Sequence, residues 1–167
     1  MTGLSASGKT SIGTELVRLW KAETPNVVFM DGDEVCRVLE WKDGIDDYTR
    51  DVRHRIAWRY SDMSAWLDSQ DINVVCCGIC FFDDVRKRNR EFFSGYFEAY
   101  IDLAMEILRK RDKKNLYARA FKGEIKNVAG VDLMLSPPTA PDMVIDNSED
   151  GADLSAIAAE VLARATG

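Results

Sequence analysis

The sequence predicts a three-layer α/β/α domain built around a mostly parallel β-sheet. Its strongest signal is a set of short, unbroken apolar runs, rich in β-branched and aromatic residues, which is typical of strands buried on both faces. These runs are Val27–Met30, Ile72–Ile79, Tyr96–Ile101 and Met143–Ile145. Helical patterns separate them, and strands that alternate with helices favour a doubly wound fold with right-handed crossovers. The length of 167 residues is that of one domain, so we expect a single domain over residues 1–167.

The helical segments show apolar residues that recur every three or four positions. Within Thr49–Ser69 the residues Ile56, Tyr60, Met63 and Leu67 are spaced by four, three and four positions, which places them on one face of a helix. The remaining predicted helices are Gly8–Trp20, Asp83–Phe93, Ala104–Lys110 and Asp153–Arg164.

Composition and charge exclude several classes of protein. The chain has 22 basic and 28 acidic side chains, a net charge of −6, which argues against a nucleic-acid-binding surface. No apolar run is long enough to span a membrane and no secretory leader is visible, so we expect no membrane partner and a cytoplasmic protein. Three of the four cysteines fall in one apolar run, which indicates reduced thiols. The sequence leaves a homodimer open.

Positive charge is concentrated in one segment, Leu108–Lys126. It holds eight basic residues against two acidic ones, which is +6 in 19 residues and leaves −12 for the rest of the chain. Such a run can be a solvated helix face. On an acidic chain it also suits a segment that closes over phosphates, and we expect a basic lid at about residues 108–132.

The segment Gly3–Thr10, with the sequence GLSASGKT, matches the phosphate-loop pattern G-x-x-x-x-G-K-[ST] at every fixed position. Its glycines let backbone N–H groups turn toward phosphates, which also lie at the N-terminus of the helix that follows. We expect Lys9 to reach the β- and γ-phosphates of ATP and the Thr10 hydroxyl to bind Mg²⁺. Only Met1 and Thr2 precede the loop, so we expect a truncated first strand. The candidate cofactor-binding residues here are Gly3, Ser5, Ala6, Ser7, Gly8, Lys9, Thr10 and Ser11.

The run Val27–Met30 leads directly into Asp31-Gly32-Asp33. Carboxylates at the C-terminal end of a parallel strand point into the crevice where α/β sheets bind ligands. One carboxylate can organise a metal ion and the other can accept a hydroxyl proton. The alternative is an Asx turn that caps a helix at Glu34–Leu39. Together with the phosphate loop, the pattern favours the catalytic interpretation.

Four motifs give the chain a resemblance to adenylylsulfate kinase. They are GLSASGKT at Gly3–Thr10, DGD at Asp31–Asp33, RDKKNLY at Arg111–Tyr117 and GEIKNVAGVD at Gly123–Asp132. The last is the most specific, because few other phosphate-loop kinases carry anything like it. The resemblance extends from residue 3 to about residue 147. It implies a P-loop NTPase fold of the nucleoside-kinase type and transfer of the γ-phosphoryl group of ATP, with Mg²⁺, to the 3′-hydroxyl of adenylyl sulfate.

The resemblance also implies roles for individual residues. Asp33 would be the catalytic base beside Lys9, and Arg111 would lie against the ATP adenine, with Lys114 also on the ATP side. The residues implied for the acceptor nucleotide are Asp31, Asp33, Cys36, Tyr48, Arg53, Ile79, Cys80, Lys126, Asn127 and Val128.

The acceptor part departs from the family pattern. Cys36 stands where the family has an arginine, Ile56 where an asparagine is usual, Asp83 where a further arginine is usual, and Val128 where a phenylalanine stacks on the acceptor base. These departures also resemble a branch that phosphorylates cytidine diphosphoramidate. We therefore expect adenylyl sulfate to be a poorer acceptor than in relatives with the full pattern. A nucleotide-binding switch, a hydrolase and a nucleotide-binding protein without kinase activity remain alternatives.

Overall fold

The computed structural model describes residues 1–41 and 48–167. In this part of the chain the strands are β1 Thr2–Gly3, β2 Val27–Asp31, β3 Asn73–Cys77, β4 Ala99–Ile101 and β5 Met143–Ile145. They pair in parallel, β2 with β3, β1 with β4, and β4 with β5, and a bridge from Thr2 to Gly78 joins β1 to the residue after β3. The order across the sheet is therefore β2-β3-β1-β4-β5. The parallel α/β prediction is confirmed.

Helices cover both faces of this sheet because successive strand residues point to opposite sides. The helices are α1 Lys9–Glu23, α2 Gly32–Val38, α3 Arg50–Asp68, α4 Asp83–Phe92, α5 Met105–Lys110, α6 Leu116–Phe121 and α7 Leu154–Thr166. On β2, Phe29 packs with the cluster that holds Leu16 of α1 and Val161 of α7, whereas the Met30 sulfur lies 3.9 Å from Ser64 Oγ of α3.

The basic segment has a core of its own. Leu108, Tyr117, Ala120 and Val128 are buried together there, and Leu4 of the phosphate loop packs against them. The segment that carries the basic side chains is therefore anchored to the phosphate loop by apolar packing.

Several element boundaries differ from the predicted ones. Strand β4 begins at Ala99, where the apolar run predicted Tyr96, and β1 has two residues. The short helix α6 was not predicted. It begins after Asn115, which has a left-handed φ of 53°, and Asp112 caps it by accepting hydrogen bonds from the Leu116 and Tyr117 amides at 2.9 and 2.7 Å. Among the described residues, no helix combines the length and the apolar character needed to cross a bilayer.

Candidate active site

The phosphate loop joins β1 to α1 and owes its shape to two residues with left-handed backbone. Ala6 has φ 63° and Gly8 has φ 98°. A Cβ on Gly8 would lie 2.5 Å from Asn147 Nδ2, so only glycine fits there. The Asn147 amide in turn donates to the Ser7 carbonyl at 3.0 Å, and both residues are buried. The loop is thus held from outside by the segment that follows β5.

Lys9 lies at the centre of the loop, where its ammonium group donates to the Leu4 carbonyl at 2.7 Å. Burial lowers the pKa of Lys9 from 10.5 to about 8, although Cys77, Asp33 and Asp31 oppose this effect. A desolvated cation held by a neutral carbonyl gains strongly from an arriving anion. The site therefore fits a polyphosphate.

Thr10 and Asp31 form an oxygen pair beside Lys9. The Thr10 hydroxyl donates to Asp31 Oδ2 at 2.6 Å, while Oδ1 accepts from the amides of Asp33 and Glu34 at 3.0 and 3.3 Å. Asp31 therefore caps α2, which confirms the Asx-cap interpretation, and its Oδ2 lies beside Lys9 and Thr10; the catalytic interpretation stays a prediction. Among the described residues there is no cluster of three or more His, Cys, Asp and Glu side chains. Hydroxyl and carboxylate oxygens nevertheless fit Mg²⁺, which commonly takes few protein ligands and completes its shell with phosphate and water.

An ion pair between Lys114 and Asp33 joins the basic segment to the Asp31–Asp33 turn. Lys114 Nζ lies 3.2 Å from Asp33 Oδ2, and both side chains are largely exposed, 83% and 72%. An exposed pair of this kind is worth at most about 1 kcal/mol. The Lys114 ammonium can therefore be drawn to a more highly charged group at little cost.

Two further contacts tie the basic segment to the phosphate loop. The buried Tyr117 donates its hydroxyl hydrogen to the Ser5 carbonyl at 2.9 Å. Arg111 donates to the carbonyls of Asn147 at 2.6 Å and Glu149 at 3.0 Å. Asn147 is thus a common partner of the loop and of Arg111. Sequence reasoning missed Asn147, because no motif or periodicity marks it.

Several of the predicted acceptor residues form a second group of contacts. Arg53 stacks over the Tyr48 ring at 5.1 Å and donates to the carbonyls of Tyr48 and Asn127 at 3.1 and 2.9 Å. Burial lowers the pKa of Arg53. Asp132 holds the adjoining loop by accepting from the Asn127 and Val128 amides, both at 2.7 Å.

Cys36 and Val128, two of the four departures from the family pattern, are both buried. Cys36 is 3% exposed and its sulfur lies 3.1 Å from the Tyr60 hydroxyl, which donates to the Gly32 carbonyl at 2.6 Å. Val128 is 4% exposed and packs with Tyr117. Because the single Tyr60 hydroxyl hydrogen is directed to Gly32, the Cys36 thiol is the donor to Tyr60.

One cleft of about 1010 Å³ brings most of the predicted site residues together. Six predicted site residues do not line this cleft: Gly3, Ser7, Gly8, Ser11, Lys126 and Asn127. Of these, Lys126 is exposed to solvent and Ser7 is buried in the interior. The predicted residues that line it are Ser5, Ala6, Lys9, Thr10, Asp31, Asp33, Cys36, Tyr48, Arg53, Ile79, Cys80, Arg111, Lys114 and Val128.

Comparison with known proteins decides the family. The family model described as adenylylsulphate kinase matches residues 1–146. This chain belongs to the adenylylsulfate kinase family. A cytidine diphosphoramidate kinase from Campylobacter jejuni is 37% identical over 89% of this chain and 84% of its own length. An adenylyl-sulfate kinase from Halothermothrix orenii is 33% identical over 93% of this chain and 82% of its own.

Solved structures agree with this assignment. The Mycobacterium tuberculosis APS kinase CysC in complex with AMPPNP and APS superimposes with a TM-score of 0.83 at 26% identity, over 98% of this chain and 93% of that one. A gluconokinase from Sinorhizobium meliloti, at 18% identity and a TM-score of 0.62, shares the fold. The predicted family resemblance and P-loop kinase fold are confirmed. As a member of the adenylylsulfate kinase family, the protein is a nucleotide kinase, a phosphotransferase with a hydroxyl group as acceptor.

Proposed function

We propose that this kinase transfers the γ-phosphoryl group of ATP to a ribose hydroxyl of a cytidine nucleotide of the diphosphoramidate type, in preference to adenylyl sulfate. The observation that carries the proposal is the contact of the buried Cys36 with the half-buried Tyr60, because position 36 is where the family pattern has an arginine. A neutral pair stabilises an anionic sulfate less than a guanidinium does.

The ATP side of the site supports the kinase part of the proposal. Lys9 is a desolvated cation in the phosphate loop, and Thr10 with Asp31 offers oxygen ligands for Mg²⁺. When bound, Mg²⁺ neutralises charge on the phosphate oxygens. Lys9 and the loop amides hold the γ-phosphoryl group in line with the acceptor hydroxyl, so that catalysis consists largely of positioning and charge stabilisation.

In the proposed reaction Asp33 acts as the base. It follows β2 at the carboxyl edge of the sheet, and Lys114, 3.2 Å from Asp33 Oδ2, is an exposed cation. When the γ-phosphate attracts Lys114, the loss of this nearby positive charge raises the basicity of the Asp33 carboxylate, which accepts the proton of the attacking hydroxyl. The basic segment, fixed to the loop through Tyr117, then covers the phosphates and keeps water from replacing the acceptor.

The acceptor side supports a small base. Val128 packs in the interior of the basic segment, so it offers no aromatic face opposite Tyr48. A base held between two aromatic faces gains on the order of 1–3 kcal/mol per stacked contact. Without the second face, a purine loses more contact area than a pyrimidine does. The 37% identity to the Campylobacter jejuni cytidine diphosphoramidate kinase points the same way.

An ADP-release assay tests the proposal. The purified protein is given Mg-ATP alone, with cytidine diphosphoramidate, and with adenylyl sulfate, and kcat/KM is measured for each acceptor. We expect the cytidine nucleotide to be used at least about tenfold more efficiently, and the phosphorylated product to match ADP one to one. Asp33→Asn removes the base, whereas Asp84→Asn changes an exposed carboxylate outside the cleft and serves as the matched control.

Other outcomes would identify the alternatives. Preference for adenylyl sulfate would make the protein an adenylyl-sulfate kinase, the second candidate, which the 33% identity to the Halothermothrix orenii enzyme supports. ADP release that no acceptor accelerates would indicate a hydrolase. Calorimetric binding of Mg-ATP without turnover would indicate a nucleotide-binding protein.

A further inference from the structure

The residue at issue is Tyr60, which lies on α3 beside the turn that carries the base. Its hydroxyl donates to the Gly32 carbonyl at 2.6 Å and accepts from the Cys36 thiol, whose sulfur is 3.1 Å away. Trp41 packs against the Tyr60 ring edge-on, with the ring centroids 5.7 Å apart. Tyr60 thus links α3 to the first residue of α2, to Cys36 in the same helix, and to Trp41 beyond its end.

These contacts determine which hydrogen bonds the Tyr60 hydroxyl makes and keep it uncharged. A tyrosine hydroxyl has one hydrogen and two lone pairs. The hydrogen goes to Gly32 and one lone pair accepts from Cys36, so a second lone pair is left for a donor. Burial raises the pKa of Tyr60, and the hydroxyl therefore stays neutral throughout the physiological range.

We propose that Tyr60 is a positioning and specificity-determining residue of the phosphoryl transfer: its hydroxyl holds the Gly32–Asp33 turn in place and offers the acceptor nucleotide a neutral oxygen that accepts a hydrogen bond from a substrate N–H group. The inference rests on the proposed function. It adds that the enzyme recognises the amine of a phosphoramidate.

The position of Tyr60 supports both the positioning role and the specificity role. Gly32 lies between the two carboxylates of the turn, and a Cβ there would lie 3.6 Å from the Tyr60 hydroxyl, so the hydroxyl packs directly on the backbone that leads to Asp33. Tyr60 and Arg53 line the same cleft as Asp33, so both can contact a nucleotide whose hydroxyl reaches Asp33. Arg53 can take the phosphate charge, and Tyr60 the amine hydrogen.

Two acceptors that differ in one group provide the test. Cytidine diphosphoramidate and cytidine diphosphate differ only in a terminal NH₂ against a terminal oxygen, which donates no hydrogen when ionised. The parent protein is expected to prefer the phosphoramidate at least about tenfold in kcat/KM. Tyr60→Phe keeps the ring and removes the hydroxyl. It should lower kcat about three- to tenfold, bring the two acceptors to within about threefold of each other, and leave the KM for ATP unchanged.

Tyr100→Phe is the matched control, because Tyr100 donates to Asp102 at 3.0 Å on β4 and does not line the cleft. If Tyr60→Phe does not fold at the assay temperature, Cys36→Ala carries the test. That change frees the lone pair now used by the thiol and should raise the preference for the phosphoramidate about two- to threefold.

The possible failures can be told apart. Equal use of the two cytidine nucleotides by the parent, or a preference that neither Tyr60→Phe nor Cys36→Ala alters, would overturn the specificity role. An unchanged kcat in Tyr60→Phe would overturn the positioning role. A parent that uses adenylyl sulfate and neither cytidine nucleotide would instead refute the proposed acceptor, and the effect of Tyr60→Phe on kcat with adenylyl sulfate would still test positioning.

Discussion

Replacing the phosphate-loop lysine should make the ligand-free protein more stable while abolishing its activity. The pKa of Lys9 falls from 10.5 to about 8 because burial takes the ammonium group out of water. A pKa unit equals about 1.4 kcal/mol, so the charged form of Lys9 costs the folded state up to about 3 kcal/mol relative to the unfolded chain. Lys9→Met keeps the length of the side chain and removes the charge. It also loses the hydrogen bond to Leu4, worth about 1 kcal/mol. The expected net gain at pH 7 is about 1–2 kcal/mol.

The difference in the free energy of unfolding between the parent and Lys9→Met should change with pH in a definite direction. Between pH 8 and 10.5 the unfolded chain still binds the Lys9 proton while the folded protein has lost it, so the free energy of unfolding rises with pH in that window. Lys9→Met lacks this contribution. The stability of the parent relative to the variant should therefore increase from pH 7.5 to pH 10.

Urea denaturation of both proteins at pH 7.5, 9 and 10 measures the difference directly, and the same samples with Mg-ATP measure ligand stabilisation. We expect Mg-ATP to stabilise the parent and not the variant, and kcat of the variant to fall at least about a hundredfold. A variant that is less stable than the parent at pH 7.5, with a difference that stays constant up to pH 10, would refute the claim that Lys9 is a desolvated cation.

Three further changes test other parts of the site. Asp33→Asn keeps the shape of the side chain and removes the base, so Mg-ATP should bind by calorimetry with unchanged affinity while transfer falls at least about a hundredfold; full activity would mean that Asp31 has that role. Gly8→Ala puts a methyl group 2.5 Å from Asn147 Nδ2 at φ 98°, and urea denaturation should show a loss of about 1–3 kcal/mol together with loss of ATP binding. Tyr117→Phe deletes the hydrogen bond to Ser5 while keeping the ring, so the KM for ATP should rise about two- to tenfold, and an unchanged KM would argue against its role in holding the loop.

The ATP side of the site could be predicted from the sequence because its determinants are local. A phosphate loop is eight consecutive residues, and the backbone that binds phosphate is set by the loop glycines and the helix that follows. The carboxylates of Asp31 and Asp33 are equally local, since they end a strand whose direction follows from the alternation of strands and helices. What the sequence could not show was the external support of the loop. Asn147 is 140 positions from Ser7, and its role depends on a contact that only the folded chain makes.

The acceptor side was less predictable for a different reason. Helical spacing placed Tyr60 on the apolar face of α3, and the ring does pack against Trp41. Periodicity reports the face on which a side chain lies, but it does not report what a hydroxyl group at the end of that side chain will meet. The bond from Tyr60 to Gly32 joins residues 28 positions apart on different elements. The helix α6 was missed similarly, because its start is fixed by Asp112 and by the left-handed Asn115 rather than by an apolar pattern.

The contact between the buried Cys36 and the half-buried Tyr60 also limits how this site can be changed into one for another acceptor. Cys36 is 3% exposed and in contact with the Tyr60 hydroxyl, so an arginine at position 36 would need the space that the phenol now fills. A buried guanidinium without a carboxylate partner is costly, and a neutral tyrosine hydroxyl does not supply the negative charge that such a partner provides. A phenylalanine at Val128 would similarly overfill the interior around Tyr117. An anion-binding arginine at position 36 and a tyrosine at position 60 are therefore alternative solutions for the same space, and a change of acceptor requires both positions to change together.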